Sequence, residues 1–476
     1  MTQSSTLHLL DTPLPSSSLL ALLSQHLPHS LPVLRRLQYA ANFPDNGLGT
    51  TPYSHVLYAS RFSVDECLLA SHEKGKEHIK GRKHFAAAFV DLSRFPETQV
   101  WVYSTLEDYA VLLDPEADTG SSYTEPFGAH SLPEEEAQEC DRYLVTLLRR
   151  MKTIAQQMPV ELDLDPDVIT CPQRRRQNWM EARAYLCLDL DLDSGAGSRL
   201  DNGDGDEDGD GNGKGNDDGN GNGNGTKKKK NNEEEEKRQQ GPKIMIGSLA
   251  EIHRHRLRSP LYGYNVRMHK TANIPDDIDW EVCQKWLFRT EALNVSSSSS
   301  PTNKQQQQQE QQEQEQQEAV EKVMVVEKEA VMEKVEKVME EEGLIWDSVR
   351  NNQQDVQLVQ SRTSIKRQED TLLGLPSVVI RKGPKGQMVA WGFMAVDGSL
   401  MTLHVEDQYR GKGLAKAVAC KVMRDHIGDY GDDGWGAADV FVGNVRSQGV
   451  CRSIGGRVGW LLSWAIVDLA TVGDAL

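Results

Sequence analysis

Between Ser399 and Met423 the apolar residues first alternate and then recur at helical spacing, with a polar, glycine-containing turn between the two patterns. The run predicts a strand over Leu400 to Val405, a turn holding Gln408, Arg410, Gly411, Lys412 and Gly413, and then a helix. Leu414, Ala417, Val418 and Val422 fall on one face of that helix, with Lys416 and Lys421 off the stripe. Around this segment the same reading predicts a helix near Val356 to Ser361 and strands at Ser377 to Arg381, Met388 to Val396, Ala438 to Gly443 and Val458 to Val467. Asp397-Gly398 is a hairpin signal between two apolar runs. Earlier in the chain, strands are predicted at Val33 to Tyr39, Val56 to Phe62, His84 to Leu92, Gln99 to Leu106, Lys243 to Leu249 and Lys285 to Thr290, with an amphipathic helix from Glu134 to Gln157. The mixture is that of an α/β sandwich around a central sheet.

Two stretches break the pattern. Ser194 to Gly241 is almost entirely Gly, Asn, Asp, Lys and Glu, too polar to offset the entropy of ordering. Asp204, Asp206 and Asp208 echo a calcium loop, but the twelfth position is Gly215 where a bidentate Glu is needed, so no metal is expected. Ser296 to Gln317 is rich in Ser and Gln, and Ala319 to Glu342 repeats Val-Glu-Lys units that favour a charged helix; Met324, Val331 and Met339 do not hold one heptad seam. The expected organisation is an N-terminal half over 1–293 interrupted by the insertion at 194–241, a linker over 294–342, and a C-terminal domain over 343–476. Protein contacts through the low-complexity stretches are an expectation that this organisation leaves open.

Composition narrows the class. A formal charge of -18 over 476 residues disfavours nucleic acid and acidic membrane as partners. The seven cysteines, Cys67, Cys140, Cys171, Cys187, Cys283, Cys420 and Cys451, are scattered without a CxxC pair, which fits a reducing compartment and neither a disulfide framework nor a zinc site. No apolar run approaches a membrane span, and the first residues carry no basic region followed by an apolar core. The expectation is a cytoplasmic protein, with Lys227 to Lys230 as a nuclear-import alternative to a solvated charge run.

A glycine turn between strand and helix exposes unpaired backbone N–H groups at the positive end of a helix dipole, an arrangement that holds an anion such as pyrophosphate. Many such turns bind nothing. Here Gln408-x-x-Gly411-x-Gly413 is followed by Leu414 and Ala415 and preceded by an alternating strand, and it resembles the coenzyme A signature of the GCN5-related N-acetyltransferase superfamily. Downstream, DVFVGNVRSQGVCRSIGG from Asp439 is similar to that superfamily's second motif, a strand followed by Asn444 and Ser447 opening a helix. With LLSQHLPHSLPVLRRLQY near the N-terminus and the segment from Leu344 to Ser399, the chain looks like a glycine N-acyltransferase-like protein with a C-terminal FR47-type domain. The resemblance implies an acyltransferase fold in two copies: a C-terminal catalytic copy and a degenerate N-terminal one, which lacks a Gly-x-Gly turn and is given no coenzyme site. It implies an acyl-coenzyme A cosubstrate and transfer of the acyl group to the amine of a small molecule such as an amino acid. A lysine acetyltransferase and a noncatalytic acyl-coenzyme A binder are the alternatives.

For amine attack on a thioester, an alkylammonium must first lose a proton, which takes about 4 kcal/mol at pH 7. Resembling enzymes often carry a Glu or His on the strand before the coenzyme turn. The matching position here is Ser399, which is no base. Asp397, two residues earlier, and His404 are the candidate bases, beside a plain turn aspartate, a structural histidine and proton loss through ordered water. The resemblance places a tyrosine acid where this chain has Cys451, so Cys451 is either a proton donor or packing. The backbone at Leu403 and Val405 would pair with pantetheine amides, a strand N–H would hold the oxyanion, and Asn444 and Ser447 would orient the arm or cap a helix.

Overall fold

A computed structural model describes residues 7–44, 48–72, 83–94, 97–109, 132–159, 242–270, 282–289, 333–350, 352–363, 365, 367–431 and 433–473. The calcium-like loop, the lysine run, Cys171 and Cys187, and the Gln-rich stretch lie outside these residues. Within them, thirteen strands join into one sheet: β1 (His8–Thr12), β2 (Ser54–Ser60), β3 (Phe85–Asp91), β4 (Val100–Ser104), β5 (Lys243–Ala250), β6 (Met268–Lys270), β7 (Val282–Arg289), β8 (Leu344–Asp347), β9 (Ser377–Lys382), β10 (Met388–Met394), β11 (Ser399–Val405), β12 (Trp435–Phe441) and β13 (Arg457–Asp468). The helices are α1 (Ser17–Ser24), α2 (Leu31–Asn42), α3 (Val64–His72), α4 (Glu134–Gln157), α5 (Glu251–Arg258), α6 (Gln353–Ser361), α7 (Glu369–Gly374), α8 (Leu414–His426) and α9 (Val445–Ser453).

The sheet runs β1-β2-β3-β4-β5-β13-β7-β12-β11-β10-β9-β8, with β6 beside β13. Its centre interlocks the two halves of the chain. β13, the last strand, pairs with β5, whereas β7, from before the linker, lies between β13 and β12. Two neighbouring pairs are parallel, β4 with β5 and β11 with β12, and each is joined at only two registers: Val100 with Ile246 and Trp101 with Gly247, Ser399 with Ala437 and Leu400 with Ala438. Beyond those registers each pair separates into a V. The repetition of this feature in the two halves is what an internal duplication requires.

One expected strand is a helix. Val33 to Tyr39 lies in α2, where Pro32 occupies the first turn and Val33, Leu34, Leu37 and Ala40 recur at helical spacing into the core. Arg35 and Arg36 obscured that period because both are buried, each about 1% exposed, by capping carbonyls of other segments. The other predicted strands hold within two or three residues, and Glu134 to Gln157 is helical as read. β1, β6, β8, α3, α5 and α7 were not anticipated. Residues 333–342 of the charged repeat are helical, and Val335 and Met339, one turn apart, are buried in the same core as Leu344 and Trp391.

Candidate functional site

The glycine turn lies where the C-terminal V opens. Gly411 and Gly413 have φ of 75° and 87°, the left-handed region that side chains disfavour. A Cβ at Gly411 would meet nothing within 4 Å, so backbone conformation, not space, calls for glycine there. Gly413 stands at the N-cap of α8 and no side chain caps the helix, which leaves its first N–H groups open to an anion. Leu414, Ala417, Val418 and Val422 are buried as the spacing predicted, and Ala415 packs against the same core. Gly392 of β10 lets Val418 approach to 3.0 Å of where its Cβ would be, which seats α8 tightly on the sheet.

The strand before the turn presents a free edge. Glu406 N–H donates to Val389 O in β10, so alternation turns the amide and carbonyl of Val405 to the other edge, toward the separating β12. Thr402, with φ of 51°, makes a bulge opposite Trp391 and Phe393 that re-aims the strand at half-buried Leu403. Among the described residues no strand pairs with this stretch on the β12 side. Arg410 Nε reaches back to Val405 O at 3.0 Å and Arg410 also pairs with Asp407 at 2.6 Å. Gln408 is exposed. Residues 403, 405, 408, 410, 411 and 413–415 are thus brought together on one side of the V.

The other candidates are dispersed. His404 stacks on Trp391 with ring centroids 4.6 Å apart, and burial lowers its pKa, so it is neutral at pH 7; Glu406 Oε1 is 3.9 Å from its Nε2. Cys451 is 3% exposed within the core under α9, and burial pushes its thiol up to about 12, a poor proton donor and a packing residue by position. Asn444 caps α9, its side chain accepting from Ser447 N–H at 3.1 Å, and Ser447 is half-buried. Asp397 is 3% exposed at the turn entering β11, and there it accepts from Ser399 Oγ at 2.7 Å, Ser399 N–H at 3.2 Å and Trp101 Nε1 of β4 at 3.4 Å. It is therefore on the face of the sheet that the N-terminal half covers.

Sequence reasoning passed over Glu342, which ends the 333–342 helix and binds Lys412 Nζ in the glycine turn. That contact pulls the Glu342 carboxyl below its usual range. Nothing in a Val-Glu-Lys repeat marks one glutamate for this position. Glu342→Gln releases Lys412 toward an incoming phosphate and removes a competing charge. The expected result is a two- to five-fold lower KM for the thioester at low ionic strength, roughly what an exposed pair is worth, disappearing at high salt; steady-state kinetics at two salt concentrations check it. Lys285 and Asp439 were also missed, although Asp439 is the single charge in the otherwise apolar β12.

The N-terminal V is closed. Just past the ends of β4 and β5, Glu107 Oε1 bridges to His253 Nε2 at 2.9 Å, both buried, and accepts from Ser104 N–H at 3.1 Å. α4 begins with Glu134, Glu135 and Glu136, carboxylates that would repel a phosphate. Among the described residues no group of His, Cys, Asp or Glu is arranged for a metal ion, and no helix is long and apolar enough to cross a membrane.

Family models match both halves. Residues 5–275, more than half of the chain, match the acyl-CoA N-acyltransferase verG N-terminal domain, and residues 377–465 match the FR47-like protein model. No curated protein matches the chain. Among solved structures, a Drosophila protein determined by X-ray crystallography is 10% identical over 96% of this chain and 98% of its own, with a TM-score of 0.41, a likeness too slight to carry an argument.

Proposed function

Because the chain belongs to the verG-type acyl-CoA N-acyltransferase family, within the GCN5-related superfamily, and therefore uses an acyl-CoA cosubstrate, we propose that its C-terminal V holds the thioester and that the acceptor is the amine of a small molecule such as an amino acid. The observation that carries the coenzyme site is the free edge of β11 running into the uncapped N-terminus of α8. The helix end supplies N–H groups for the pyrophosphate from the Gly411 to Ala415 backbone. The exposed amide and carbonyl at Val405, with Leu403 beside it, would bind the pantetheine as an added strand would, once Arg410 yields Val405 O. The re-aimed backbone at the Thr402 bulge supports an oxyanion N–H. Gln408, Asn444 and Ser447 would border the arm.

The acceptor side supports a small substrate. Opposite α8, Ala437 and Leu287 pack with Leu31 of α2 and Ala250 of β5, and Trp101 reaches Asp397, so the N-terminal half covers the face from which an amine would approach. A lysine acetyltransferase needs an open groove for a polypeptide there. Asp397, His404 and Cys451 remain the residues proposed from sequence for proton transfer. Of these His404 has a neutral imidazole, Asp397 has its lone pairs engaged, and Cys451 is withdrawn into the core.

Thiol release from a panel of acyl-CoA thioesters, with glycine, other small amines or a lysine peptide, tests the reading. Release accelerated by small amines and indifferent to the peptide is the expected result. Preference for the peptide would sink the small-acceptor assignment, and thioester binding without any amine-dependent release would leave a binder in place of an enzyme.

A further inference from the structure

Asp439 stands in β12 one residue past the last register that joins β12 to β11. Gly436 faces Met423 of α8, so alternation turns Ala437 and Asp439 to the opposite face, the one covered by the N-terminal half. Ser399 lies across from Ala437 in the parallel register and shares that face, and its hydroxyl donates to Asp397. β12 and the turn entering β11 thus each bring one carboxylate to the vertex of the V, close enough for the two charges to interact.

Their surroundings differ. Asp397 accepts from two N–H groups and a hydroxyl. Asp439 Oδ1 has Lys285 Nζ at 2.5 Å, from the residue directly across in β7, and Oδ2 makes no hydrogen bond of normal geometry. The side chains of the two partners are 8% and 1% exposed. Ser248 of β5, left-handed with φ of 54°, places a buried hydroxyl beside Asp439. Buried carboxylates usually have both oxygens engaged, because leaving one open costs several kcal/mol. Burial drives the Asp439 carboxyl above its ordinary range against the pull of Lys285.

We propose that Asp439 is the group that takes the proton from the acceptor amine, with Lys285 the positioning residue that holds its carboxylate at the vertex. The assignment rests on the acyltransferase reading above. An ammonium N–H bond breaks and its proton passes to the Asp439 carboxylate. The neutral nitrogen forms the C–N bond at the thioester carbonyl, and the C–S bond breaks with its electron pair on sulfur. The second nitrogen proton goes to that thiolate, and Asp439 returns its own proton to water. Because the ionised carboxylate is the active form, turnover rises with pH through the raised Asp439 pKa. The groups facing it are Lys285 from β7, Asp397 from the β10–β11 turn and Ser248 from β5.

Asp439→Asn alone would strand a buried lysine, so the decisive protein is Asp439→Asn/Lys285→Met, in which both charges are replaced and folding is near neutral. In the full chain, acyl-CoA binding is measured by titration and amine-dependent thiol release across pH. The expected result is binding within two-fold of wild type, kcat lower by about 100-fold or more, and loss of the acidic limb of the pH profile; Asp439→Glu restores part of the rate, a rescue that a packing role would not produce. A double variant with wild-type turnover and an unchanged acidic limb overturns the assignment. A wild-type protein that binds the thioester but shows no amine-dependent release overturns the proposed function itself, and the assignment with it.

Discussion

Gly413→Glu is expected to lower acyl-CoA affinity by about 100-fold or more, a loss of about 2.7 kcal/mol. Two effects add. At φ of 87° any side chain strains the backbone of the turn by about 1–2 kcal/mol. The carboxylate also lies at the helix N-terminus, where it satisfies the open N–H groups and repels the pyrophosphate. Gly413→Ala separates them, since it carries the strain without the charge and should lose only about ten-fold. The helix behind the turn is held by Leu414, Ala417, Val418 and Val422, so both variants should melt within a few degrees of wild type. Isothermal titration with an acyl-CoA, beside a thermal melt, reads both quantities. Unimpaired binding by Gly413→Glu would remove the coenzyme from this turn.

Arg35→Ala is expected to do the reverse, damaging stability before binding. From α2 in the N-terminal half its guanidinium donates to Ile427 O at 3.0 Å, Gly431 O at 2.8 Å, Trp435 O at 2.6 Å and Asp433 Oδ1 at 2.5 Å, all in the C-terminal half. Its alkyl stem lies 3.4 Å from where a Cβ of Gly398 would stand, beside the turn that carries Asp397. Truncation removes a buried cation from three carbonyls and a carboxylate, which costs about 3–5 kcal/mol. For domains of this size that lowers Tm by roughly 10 °C, readable by calorimetry. Arg35→Lys should recover only part of it, because one ammonium does not span four acceptors. A Tm within 2 °C of wild type would show that this contact does not hold the halves together.

The glycine turn was legible because its requirements are local. Positive φ at Gly411 and Gly413, an alternating strand before them and a 3-and-4 apolar stripe after them are written within 25 residues. Most strands were read for the same reason. α2 was misread because Arg35 and Arg36 are buried by partners far away in the chain, and a window sees only two charges in an apolar run. Glu342 was hidden in a repeat of near-identical units, and β8 and β6 are too short to show a period.

The sequence by itself determined the glycine turn between strand and helix, the α/β alternation and the two compositional breaks, since each follows from spacing and residue type over one or two elements. Only the tertiary structure decided that β7 and β13 cross between the halves, that the N-terminal V is closed by Glu107 and His253, and that Lys285 and Asp439 meet at the vertex of the open one. Those partners are 146 and 154 residues apart in the numbering. Strand register and burial bring them together, and both depend on which strands become neighbours, a choice made by packing over the whole sheet.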